Sequence, residues 1–194
     1  MADRFRLDRW FLIALVSALP PALPIARAFA SDLPPDCSQA PIPDQAAAGV
    51  VAGKKFLAHN VSLSTINHPV IGGIHYDEFD LFLHDQDQDN QDIQVIVNLI
   101  VPEDKLPDGH EFRRLPTIDA MKQPKAGPGA MEVMDWSIEY DPDNINADAT
   151  NTVGSVRVLF GTRTDTTLSG KIYLCAPDVK DSYVAGNFSI DVSQ

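Results

Sequence analysis

Glu78 to Val101, EFDLFLHDQDQDNQDIQVIVNLIV, decides the fold. Phe79, Leu81 and Leu83 alternate with polar residues, and so do Ile93, Val95, Val97, Leu99 and Val101. Period-two alternation of this kind marks strands with one buried face, so the stretch reads as a β-hairpin. Its tip, Asp85 to Asp92, is polar and acidic.

The same pattern recurs on both sides. Gly49 to Phe56 reads as a short strand, a glycine-bearing turn and a second strand running through Ala58 to about Leu63. Further on, Glu132 to Tyr140 places Met134, Trp136, Ile138 and Tyr140 on one face, which favours core packing over an exposed sugar platform. Asp141 to Thr152 reads as a polar loop, and strands follow around Val156–Phe160, Leu168–Leu174 and Val184–Val192. Gly170 and Gly186 fall inside the last two, where glycine marks a bulge or a close backbone approach. The expected fold is all-β, an antiparallel β-sandwich of about eight strands, with a closed β-barrel as the alternative.

The domain organisation follows from composition. Arg4, Arg6 and Arg9 precede the apolar run Trp10 to Leu19, and Ala28-Phe29-Ala30 is a small-x-small site. Residues 1–30 are therefore expected to be a cleaved secretory signal peptide, and the protein to be secreted or periplasmic. Residues 31–48, with Pro34, Pro35, Pro41 and Pro43, read as an extended arm, and residues 49–194 as a single domain. No stretch of the mature chain is long and apolar enough to suggest a membrane span. Export makes Cys37 and Cys175 a candidate disulfide, pinning the arm to a strand near the C-terminus.

The chain has 15 basic and 27 acidic residues. Removing the leader takes away Arg4, Arg6, Arg9 and Arg27 against Asp3 and Asp8, leaving 11 and 25, a net charge of −14. Nucleic acid and anionic membranes reward cations, so neither is an expected partner. A carbohydrate or a protein partner remains open.

Three features point to chemistry. At the hairpin tip, Asp85, Asp87 and Asp89 alternate as in the first half of a calcium loop, with Asn90 at the usual glycine position and Asp92 as a further candidate ligand. Ile96 stands where a bidentate glutamate belongs, which excludes an EF-hand and leaves a looser calcium site. Asp141, Asp143 and Asp148 offer a second set of oxygens that could share the ion if the two loops lie at one end. The long irregular segment 102–130, with a short strand piece at Glu111 to Leu115, carries Arg113, Arg114, Lys122 and Lys125 as a candidate ligand-binding loop.

No nucleophile elbow, phosphate loop or dinucleotide fingerprint is present. The leading reading is thus an exported non-catalytic sandwich that binds a ligand or partner through its end loops. One alternative is a structural accessory domain of an envelope or extracellular assembly. Another is a hydrolase whose site converges from His59, His75, His110, Asp135 and Glu139.

Overall fold

A computed structural model describes residues 39–86, 92–116, 129–140, 145–148, 152–177 and 179–192. The chain divides into two units, Met1–Ala30 and Ser31–Gln194, and the expected signal peptide lies outside the described residues. Among the described residues, no helix is long and apolar enough to cross a membrane.

Twelve strands are present among the described residues: β1 (Ala48–Val51), β2 (Lys54–Leu57), β3 (Asn60–Asn67), β4 (Val70–Ile71), β5 (Ile74–Gln86), β6 (Asp92–Pro102), β7 (Glu111–Arg114), β8 (Glu132–Tyr140), β9 (Ile145–Asp148), β10 (Ser155–Arg163), β11 (Thr167–Ala176) and β12 (Ser182–Asp191). They form two antiparallel sheets. The first runs β2-β1-β12-β11-β10-β7, and the second β3-β5-β6-β8-β9 with β4 paired to β5. The sheets do not close on themselves, so the sandwich stands and the barrel does not.

The quoted stretch is the centre of the second sheet. β5 and β6 pair from Tyr76↔Pro102 to Gln86↔Asp92, which keeps their apolar residues on a common face. Leu81, Leu83, Val95, Val97 and Leu99 meet Val156, Val158, Leu168, Ile172 and Leu174 of the first sheet in one core. Phe160 packs edge-to-face against both Phe112 and Phe188, at ring separations of 5.7 Å. Gly170 makes room for that cluster, because a Cβ there would meet the Phe188 ring at 2.2 Å.

Three expectations are corrected. The strand read through Ala58 to Leu63 is two strands in different sheets, broken at Ala58-His59. The polar segment Asp141–Thr152 contains β9, which pairs with β8 from Ser137↔Asp148 to Tyr140↔Ile145. Met134 does not face the core. The β6–β8 register slips between Asn98 and Leu99, and this bulge turns Met134 outward while Val133 and Trp136 stay buried.

The arm preceding β1 crosses the outer face of the first sheet. Ala46 makes a parallel bridge with Asn187, and Gln45 O accepts from Asn187 N at 2.6 Å. Gly186 permits this passage with φ +139°, since a Cβ would meet the Gln45 and Ala46 carbonyl oxygens at 2.6 Å. Further out, Asp44 Oδ1 accepts from Asn187 Nδ2 (2.8 Å) and Lys171 Nζ (3.3 Å), and Ala40 O from Arg157 Nη1 (3.4 Å). Cys175, fully buried, lies in the strand row Ser155–Cys175–Tyr183 of this sheet. Its expected partner Cys37 lies outside the described residues.

Two carboxylates, Glu111 of β7 and Asp44 of the arm, are held below the usual range. Burial opposes ionisation of Glu111, but Arg113 and Arg157 outweigh it, with Arg157 Nε 3.0 Å from Glu111 Oε1. The hydrogen bonds from Asn187 and Lys171 do the same for Asp44. A depressed folded pKa contributes stability that is present above the unfolded value and lost as pH falls through the folded one. Melting temperature is therefore expected to fall as pH drops below about 4.5, the region where free carboxyl groups begin to protonate. Glu111→Gln should flatten that fall by about 1 kcal/mol or less, the pair being solvent-screened. Thermal melts from pH 3 to 7 on both proteins check this, and superimposable acid limbs would refute it.

Candidate functional site

The other face of the second sheet is partly open to solvent, although Tyr76 and Ile100 at one end of it are buried, and register decides what gathers there. Directly paired residues on neighbouring strands project to the same side. One row runs Ser64–Asp80–Asn98–Asp135 across β3, β5, β6 and β8. The next runs Ser62–Phe82–Ile96–Ser137, and Glu78 pairs with Ile100 on the far side. Polar residues that alternation assigns one by one to solvent thus converge on one patch.

Here the face is concave. A groove of about 470 Å³ has Glu78, Asp80, Asn98, Asp135 and Ser137 for its polar lining, and Ile66, Ile96, Met134 and the otherwise buried Trp136 for its apolar walls. Ile66 and Met134 are 50% and 40% exposed, unusual for large apolar side chains. The β8 bulge that turns Met134 outward thereby builds one wall.

Asn98 organises the floor. Its Nδ2 donates to Glu78 Oε1 at 2.8 Å and to Asp80 Oδ1 at 3.1 Å, while its Oδ1 is buried with no partner among the described residues. Asp135 Oδ1 accepts from Trp136 N at 2.8 Å. The remaining carboxylate oxygens are acceptors, and no lysine or arginine lines the groove. Such a floor is complementary to a ligand that brings hydrogen-bond donors and positive charge.

Arg114 supports the site from behind. β7 directs it between the sheets, where Nη1 donates to Met134 O at the bulge. Burial lowers its pKa, and the charges of Asp135 and Glu132 push it back up. This arginine holds the backbone beneath the groove.

The anticipated site residues fall elsewhere. Asp85 is 6% exposed and faces inward: Oδ2 accepts from Leu57 N at 2.8 Å, and Oδ1 lies 3.0 Å from His59 Nδ1. Both oxygens are thus engaged at the point where the chain changes sheets. Asp87, Asp89, Asp141 and Asp143 lie outside the described residues, as does the side chain of Asp92. Asp148 closes β9, opposite Ser137. The row Asp85–Ile93–Tyr140–Ile145 puts the strand ends flanking both acidic tips at one end of the sheet. No group of three potential metal ligands occurs among the described residues, so calcium at the tips rests on sequence spacing alone.

Of the proposed binding-loop cations, Arg113 and Arg114 belong to β7. Arg113 pairs with Glu111, and Arg114 is buried as described; Lys122 and Lys125 lie outside the described residues. Trp136 and Tyr140 are both buried, which removes them as a sugar platform. The groove contains Asp135 but none of His59, His75, His110 or Glu139. The exposed His68 sits 2.7 Å from Asp77 and His75 3.9 Å from Glu103, and none of the four lines the groove.

Sequence reasoning missed Glu78, Asp80 and Asn98. The available signal was Asn98 and the two carboxylates recurring on the polar phase of the two most apolar strands. No protein-family model, curated protein or solved structure matches the chain.

Proposed function

We propose that this chain is an exported, non-catalytic binding module whose groove on the second sheet holds a cation-bearing ligand on a partner. The observation that carries this reading is the cation-free floor of Glu78, Asp80, Asn98 and Asp135, whose carboxylates and Asn98 Oδ1 offer acceptors, bounded by exposed Ile66 and Met134. An ammonium or guanidinium group would satisfy the carboxylates and bring a donor toward Asn98 Oδ1. Its aliphatic stem would lie along the isoleucine and methionine walls. The binding surface is then a sheet face, and the end loops are relieved of that role. Export is supported by the leader composition of residues 1–30.

The probe is a peptide of about ten residues alternating lysine and threonine, a length that suits strand-type recognition. Calorimetric titration should give saturable binding that weakens as salt rises. The pair Asp80→Asn and Asp135→Asn, nearly isosteric and keeping an acceptor oxygen at each position, should weaken it at least about tenfold, as expected for loss of close charge pairs. Equal affinity in the double variant, or equal affinity for a glutamate–threonine peptide, would remove the reading.

A further inference from the structure

The edges of the two sheets are defended unequally. Exposed edges present unpaired N–H and C=O groups, and proteins blunt them with short strands, charges or proline. The first sheet ends in β2 and β7, four residues each, carrying Lys54 and Lys55 or Glu111, Arg113 and Arg114. The second ends on one side in β9, four residues closed by Asp148. Its other edge is β3, eight residues reading Asn-Val-Ser-Leu-Ser-Thr-Ile-Asn, with neither a charge nor a proline. Among the described residues β3 pairs with β5 alone, and Ser64 to Asn67 are exposed. Pairing is regular from Asn60 to Thr65, and a bulge follows before Asn67.

We infer that β3 accepts the backbone of an extended partner peptide with basic side chains at alternate positions, adding a strand to the second sheet. This rests on the groove reading, because Ile66 of β3 is itself a groove wall. Ser62 and Ser64 project to the same side as Phe82 and Asp80, so the side chains nearest an added strand on that face are small. Strands repeat at about 4.8 Å, which places β5 roughly 10 Å from the added strand. A lysine or arginine stem can extend over Ser64 toward the Asp80 carboxylate. Backbone pairing then supplies affinity and alternate side chains supply specificity.

Charge selects this occupant over a second copy of the chain. Each copy without the leader carries a net charge of −14, and a two-fold β3–β3 pairing would bring two sets of Glu78 and Asp80 together. Like charges juxtaposed across an interface oppose association. A basic strand meets the reverse condition.

The test uses the lysine–threonine peptide in two N-methylated forms, one methylated on every lysine amide and one on every threonine amide. In a strand the amides of alternate residues point to opposite edges, so only one form blocks pairing with β3. One form should lose at least tenfold in affinity while the other keeps the affinity of the unmodified peptide. Equal affinity of the two forms overturns strand addition. If the unmodified peptide still binds and the Asp80→Asn, Asp135→Asn pair still weakens it, the groove reading survives that result. Absence of binding by the unmodified peptide overturns both. Sedimentation equilibrium of the protein alone should show a monomer; a dimer whose β3 amides are protected from hydrogen exchange would identify the second copy as the occupant and overturn the inference.

Discussion

Trp136→Ala should lower stability by about 3–5 kcal/mol, the range for deleting a large buried aromatic side chain. Trp136 is 1% exposed, and its indole packs on Gly154 so closely that a Cβ there would meet the ring at 2.3 Å. At roughly 2–4 °C per kcal/mol for a domain of this size, melting should fall by about 6–20 °C. Trp136→Phe should cost much less, because the indole Nε1 is buried without an acceptor among the described residues and its removal relieves an unpaired donor. Trp10 and Trp136 are the two tryptophans, and Trp10 falls in the expected leader, so after cleavage intrinsic fluorescence reports the core alone. A blue-shifted emission that moves red at the melting transition is expected. Unchanged stability in Trp136→Ala would mean that the indole is a surface platform after all.

Asp85→Ala should cost about 1–3 kcal/mol, because it takes from a part-buried backbone donor and from His59 the acceptor they share. Its carboxylate receives Leu57 N and meets His59 where the chain leaves the first sheet for the second. Without it the Leu57 amide loses its partner, and β2 should open first, seen as faster hydrogen exchange at Leu57 than in β11 or β12. Asp85→Asn, which keeps an acceptor, should lose less. The loss should be the same with and without millimolar calcium. A deficit that appears only in the presence of calcium would return Asp85 to the role of metal ligand suggested by its spacing.

Much of the architecture was legible because burial writes itself locally. The inward residues of Glu78–Val101 are the inward residues of the sandwich, and Gly170 and Gly186 mark close approaches as strand glycines do. Less legible was whatever depends on partners distant in sequence. The break at Ala58-His59 interrupts no local pattern, since it is held by Asp85 from another strand. Met134 obeys the alternation of β8, yet a bulge set by pairing with Asn98 and Leu99 turns it outward. The groove shows the same limit. Glu78, Asp80, Asn98 and Asp135 each look like an ordinary solvent-facing residue, and only register across three strands makes them neighbours. The acidic tips drew the eye because their spacing is local, whereas the convergent acceptors are not.

Amide chemical-shift mapping of the labelled protein during titration with the lysine–threonine peptide bears most directly on where this protein binds. Shifts are expected along β3, at Glu78 and Asp80, and at Asn98 and Asp135, with residues 102–130 and both acidic tips unaffected. Shifts confined to 102–130 or to the tips would place binding at the end loops and contradict the sheet-face groove.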